Sequence, residues 1–144
     1  MFNRAGIIFF SLLVSSVAFA KKPKFSDQQV AAMAPKYFAR DHFSPPLKRV
    51  RIYPEENKKV FELEIEVNRN RYEGEMEYAV GAMSSICQYA RVPFDKFVVV
   101  MVPTYRGQER ERLEATAACS INYFVHKRVK YQRWVKKCTS ITTL

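Results

Sequence analysis

Phe97-Val98-Val99-Val100-Met101-Val102 is the stretch on which the fold turns. A run of apolar, mostly β-branched residues without alternation suits a strand buried on both faces, hence one in the middle of its sheet. Pro103 ends it. The sequence on either side must then supply neighbouring strands and a layer to cover them.

Upstream, Met76, Ala79, Val80, Met83, Ile86, Cys87 and Ala90 trace an apolar stripe at helical spacing, and Asn70 with Glu73 has the form of a capping box at its start. This predicts a long central helix. Its methionines read as gap-fillers in a core, and the small residues Gly81, Ala82, Ser84 and Ser85 permit close approach to a sheet. Before it, Lys48-Arg49-Val50-Arg51-Ile52-Tyr53 alternates polar and apolar, and Val60 to Val67 does so with Phe61, Leu63, Ile65 and Val67 on one face. The two read as an antiparallel hairpin turning at Pro54-Glu55-Glu56-Asn57, with Arg49 and Arg51 facing Glu62, Glu64 and Glu66 on the solvent side. Arginines beside those carboxylates would compete with any cation, so no metal site is expected there.

Earlier still, Ser26 with Gln29 forms a capping box, and Phe25 with Val30 a hydrophobic staple. A first helix follows to about Arg40, stopped by Ser44-Pro45-Pro46, with Val30, Met33, Ala34, Tyr37 and Phe38 facing the core.

Downstream of Pro103, Leu113, Ala115, Ala117 and Cys119 alternate with Arg112, Glu114 and Thr116. This reads as a fourth strand joined to the third by a hairpin around Gly107, in preference to the helix that Glu109, Glu111 and the alanines would also allow. Ser120 then caps a helix from Ile121 to His126, and a second short helix near residues 131–137 turns Trp134 and Val135 inward. The expected fold is α+β, in the order α-β-β-α-β-β-α-α: a mainly antiparallel four-stranded sheet with an N-terminal helix, a long central helix and short C-terminal helices.

The chain has 144 residues and a formal net charge of +10. Arg4, the apolar run Ala5 to Val14 and the ending Ala18-Phe19-Ala20 read as a cleavable signal peptide over residues 1–20, with residues 21–144 as a single globular domain. Ser11, Ser15 and Ser16 interrupt the run, which falls short of the ~20 apolar residues of a membrane span. No later stretch is long and apolar enough to span a bilayer. The expected location is the periplasm or the extracellular space. Arg4 is the sole charged residue of the first twenty, so the remainder carries 23 basic and 14 acidic residues, a balance of +9 that favours anionic partners. Of Cys87, Cys119 and Cys138, the simplest account is one bridge and one free thiol: Cys119 with Cys138, which bracket the C-terminal helical region, is preferred over the alternative Cys87 with Cys119, and leaves Cys87 on the apolar stripe.

Catalytic inventory is thin. His42 and His126 are the only histidines, neither lies in a catalytic motif, and four glycines build no phosphate-cradling loop. Arg40-Asp41-His42-Phe43-Ser44 brings an acid, a base and a hydroxyl together in sequence, which makes His42 the residue to suspect in a hydrolase or inhibitor reading. No catalytic residue, cofactor or metal ligand is assigned. Lys127, Arg128, Lys130, Arg133, Lys136 and Lys137 form the most basic segment, and residues 119–144 contain no acid. These six residues are the expected partner-binding surface, and the leading reading is a non-catalytic, exported binding protein with an acidic protein or other anionic envelope component as partner. Interleaved Tyr123, Tyr131 and Trp134 also permit a polyanion binder, for nucleic acid or anionic lipid, a reading lowered by the export signal.

Overall fold

The computed structural model describes residues 24–144. The signal-peptide reading of residues 1–20 lies outside the described residues. The fold is α+β, with a five-stranded mixed sheet in the order β1-β2-β3-β4-β5 and helices packed against one face.

Helix α1, Asp27–Ala39, begins as the sequence indicates. Ser26 accepts from the Gln29 amide at 3.3 Å, and Gln29 Oε1 accepts from the Ser26 amide at 2.9 Å. Its entry is pinned to the far end of α2, where the Phe25 amide donates to the Tyr89 carbonyl and the Arg91 amide to the Phe25 carbonyl. Strands β1, Leu47–Glu55, and β2, Lys58–Val67, pair antiparallel. Their turn is tighter than expected: Pro54 and Glu55 belong to β1, and Glu56 and Asn57 alone reverse the chain, both with positive φ. Two left-handed residues are what a two-residue hairpin needs to match strand twist.

After a 3₁₀ turn at Arg69–Arg71, α2 runs Tyr72–Cys87 and β3 Lys96–Pro103. The Asn70–Glu73 capping box is not formed. Asn68 instead accepts from the Asn70 amide, and Glu75 reaches back to the Asn68 amide at 2.8 Å. Because α2 carries the chain back across the sheet, β3 lies parallel to β2, pairing Val60 with Lys96 through Val67 with Pro103. The sheet is therefore mixed, with three of its four pairings antiparallel as expected; the parallel β2–β3 join needs such a crossover, and α2 supplies it. β3 is central as expected, with Phe97, Val98, Val99 and Met101 fully buried.

Strand β4, Glu111–Thr116, pairs antiparallel with β3 but ends sooner than the alternation suggested. Ala117 and Cys119 belong to α3, Ala117–Phe124, so Ser120 is inside this helix and does not cap it. The chain reverses through Lys127, whose φ is +56°, into α4, Tyr131–Arg133, which widens into a π turn at Trp134–Cys138. It finishes in a fifth strand that corrects the expected count of four: β5, Thr139–Thr143, antiparallel to β4. The β-branched Thr-Ser-Ile-Thr-Thr composition is its local signal.

The main core lies between sheet and helices, where Phe61, Leu63, Ile65, Phe97, Val99, Met101 and Leu113 meet Val30, Met83, Ile86 and Trp134. Gly81 faces α3, where an added Cβ would stand 3.2 Å from the Phe124 ring. The small residue thus admits a neighbouring helix and not the sheet.

Candidate functional site

The C-terminal basic segment is built on one buried side chain. Trp134 has no solvent exposure. Its ring stacks on Tyr123 at 5.3 Å, meets Phe124 edge-on at 5.0 Å, and is flanked by Tyr131. Indoles need a hydrogen-bond partner when buried. Trp134 Nε1 donates to Ser120 Oγ at 3.0 Å, and Ser120 Oγ donates to the Thr116 carbonyl at 2.8 Å. The buried serine inside α3 is therefore the acceptor that lets an indole enter the core. Nearby, Cys119 and Cys138 form a disulfide with their Cα atoms 6.2 Å apart, tying the π turn to α3. Val135, expected inward, is 37% exposed, because the π turn widens the spacing and brings only Trp134 to the core side.

On this anchored segment the structure places the six basic residues in one continuous stretch. Lys127 and Arg128 lie in the reversal after α3, Lys130 stands at the N-cap of α4, Arg133 ends α4, and Lys136 and Lys137 ride the π turn. All six are exposed, and none belongs to an ion pair among the described residues. Lys137 also lines an open groove of about 440 Å³ with Lys58, Lys96, Glu114, Thr139 and Ser140. The aromatic residues of the segment serve a different end from the one their types suggest. Tyr123 is half-buried against Trp134, and Tyr131 leans on both rings. The nearby Glu77 carboxylate, then burial, pushes the Tyr131 hydroxyl up to about 12.

The helix-free face of the sheet is highly charged, and the charges at its centre are mutually engaged, while Arg49, Lys58 and Glu64 belong to no ion pair among the described residues. Glu55 Oε2 accepts from Lys96 Nζ and Arg112 Nη2, each at 3.2 Å, and Arg112 Nη1 meets Glu114 at 2.9 Å. Arg51 Nε donates to Glu62 at 2.7 Å, with the Tyr53 hydroxyl on the other carboxylate oxygen at 3.0 Å. The hairpin pairing of arginines and glutamates is present, with one correction: Glu62 is not solvated but 6% exposed. It sits beside Val60 and Val98, both fully buried on this same helix-free face. Tyr53 and Lys96 are the cross-strand neighbours of Val60, so the two valines form a second small core beneath the ion pairs of this face.

His42 is exposed in the turn after α1. Asp41 Oδ1 accepts from the Phe43 amide, and Ser44 Oγ donates to the carbonyls of Phe38 at 2.6 Å and Asp41 at 2.8 Å. The acid and the hydroxyl thus close the end of α1. Cys87 is buried and free, and burial pushes its thiol well above the ordinary value. Among the described residues no three His, Cys, Asp or Glu side chains gather as a metal group, and no helix is long and apolar enough to cross a membrane.

Comparison with known proteins found no matching family model, no similar curated protein and no similar solved structure.

Proposed function

We propose that this protein is an exported, non-catalytic binding protein that holds an acidic protein partner on the basic face of residues 127–137. The observation that carries the reading is the contrast between its two charged regions. On the helix-free face of the sheet Lys96 and Arg112 share Glu55 and Glu114, whereas Lys127, Arg128, Lys130, Arg133, Lys136 and Lys137 are exposed and belong to no ion pair among the described residues. Unpaired cations held on a rigid base offer charge to a partner at little cost in ordering, the condition for fast and selective association. The base here is Trp134, buried between α3 and the sheet, together with the Cys119–Cys138 disulfide. That disulfide and the signal-like first twenty residues support an oxidising compartment outside the cytoplasm.

Replacing Lys130, Arg133 and Lys136 together by Glu tests it. Affinity capture with the oxidised domain from the envelope fraction of its source is expected to retain one acidic protein near one-to-one, and the triple variant to lose it with an unchanged circular dichroism spectrum. Retention undiminished in the variant would overturn the reading. Recovery of anionic polymer alone, released steeply by salt, would replace it with polyanion binding.

A further inference from the structure

The two edges of the sheet are unlike. β1 has the protections that keep an edge strand from pairing: Pro54, a register shift between Leu47 and Arg49, and the charges of Lys48, Arg49 and Arg51. β5 has none of them. Its sequence is Thr-Ser-Ile-Thr-Thr, it pairs with β4 without a shift in register, and it is the last strand of the sheet among the described residues.

The hydrogen-bond phase shows which backbone groups are free. The Leu144 amide donates to the Arg110 carbonyl at 2.9 Å, in the same register that pairs Arg112 with Thr142 and Glu114 with Ser140. Antiparallel strands turn the groups of alternate residues toward each other, so Ser140 and Thr142 bond to β4 while the amides and carbonyls of Ile141 and Thr143 point outward; the Thr139 amide closes the π turn onto the Trp134 carbonyl. Exposed aliphatic surface accompanies this edge: Ile141 is 46% and Leu144 61% exposed. Cations bracket it, with Lys136 and Lys137 leading into its first residue and exposed Arg110 beside its end.

We propose that the free edge of β5 takes an extended acidic segment of the protein partner as a sixth strand. This rests on the basic-face reading above and adds to it the shape in which the acidic chain is held. The outward amides of Ile141 and Thr143 give the segment backbone hydrogen bonds, Ile141 receives an apolar side chain, and the lysines select carboxylates. A second copy of this chain fits the edge poorly, because antiparallel pairing of β5 with itself would bring Lys136 and Lys137 of each copy against Arg110 of the other.

The test uses the oxidised, isotope-labelled domain and three probes: a capped hexapeptide alternating glutamate and valine, the same peptide N-methylated on the amides that would face β5, and polyglutamate. Amide exchange at Ile141 and Thr143 is expected to slow about tenfold with the first peptide, while Ser140 and Thr142, already bonded to β4, change little. N-methylation removes the inter-strand bonds and is expected to weaken binding roughly tenfold or more. If both hexapeptides and polyglutamate bind alike and the two amides stay unprotected, strand addition is wrong while the basic face stands. Failure of every acidic probe to bind would remove both readings. Dimerisation through β5 without a probe, seen in sedimentation, would also overturn the proposed occupant.

Discussion

Lys127 occupies the left-handed region at φ +56°, at the reversal between α3 and α4, where the Arg128 amide donates to the Asn122 carbonyl at 2.8 Å. A side chain there carries a steric penalty that glycine lacks, partly offset by glycine's greater freedom in the unfolded chain. Lys127→Gly is therefore expected to raise the unfolding free energy by about 0.5–1 kcal/mol, read from urea midpoints. Lys127→Val is expected to lower it, since β-branching worsens the same conformation. Raised tyrosines contribute to the alkaline limit together with the buried Cys87 thiol, and three of them are raised most. Burial and Glu111 hold the Tyr72 hydroxyl above its ordinary range, burial and nearby Asp41 push Tyr78 up to about 12, and Tyr131 is held there by Glu77. Each folded value is raised above the unfolded value of about 10, so their contribution to stability is complete below pH 10 and disappears as pH climbs toward the folded values. Urea midpoints between pH 8 and 11.5 are expected to fall gently above about pH 8.5, where the Cys87 thiol ionises in the unfolded chain, and more steeply from pH 10 upward, this second part less steeply in Tyr78→Phe, which also removes a buried hydroxyl without a hydrogen-bond partner.

Among the elements, α3 and the segment after it depend on each other. Ser120→Ala leaves the Trp134 indole N–H buried without an acceptor and is expected to cost about 1–3 kcal/mol, measured by denaturant unfolding. Trp134→Phe in that background is expected to recover part of the loss, because the ring still fills space and no orphaned donor remains. The Cys119–Cys138 link closes a sequence separation of 19, worth about 3 kcal/mol by loop-closure entropy. Sequence pattern reveals some of this and hides the rest for identifiable reasons. Ser26 with Gln29, the α2 stripe and the apolar run of β3 announce themselves, because local bonds and periodicity carry the signal. The end of β4 does not, since Ala117 and Cys119 continue the strand alternation while their contacts with the main core place them in a helix. β5 is concealed because its five residues alternate weakly, and only pairing with β4 makes them a strand.

At the scale of the whole molecule, sequence patterns reveal the layer plan better than the directions of the strands. Central β3, covering helices and the charged hairpin are legible in hydrophobic spacing; the parallel join of β2 to β3 is set by the path of α2 across the sheet, on which strand patterning is silent. The site has the same division. Six cations and the cysteine pair can be read from residue types, whereas the free edge of β5 and the acceptor role of Ser120 exist only after folding. Burial of Cys87 has a consequence for biogenesis. Three thiols emerge in the order 87, 119, 138, and the first two are the earliest able to meet in an oxidising compartment. A Cys87–Cys119 bond would strand Cys138 and release the Trp134 turn, so the mature protein requires that linkage to be reshuffled. Cys87→Ala should accordingly reach the native disulfide sooner and in higher yield after dilution from denaturant, followed by thiol trapping and reversed-phase chromatography. Once the domain has folded, the core of α2 puts the Cys87 thiol out of reach of exchange, and the Cys119–Cys138 pair is the linkage that the native packing retains.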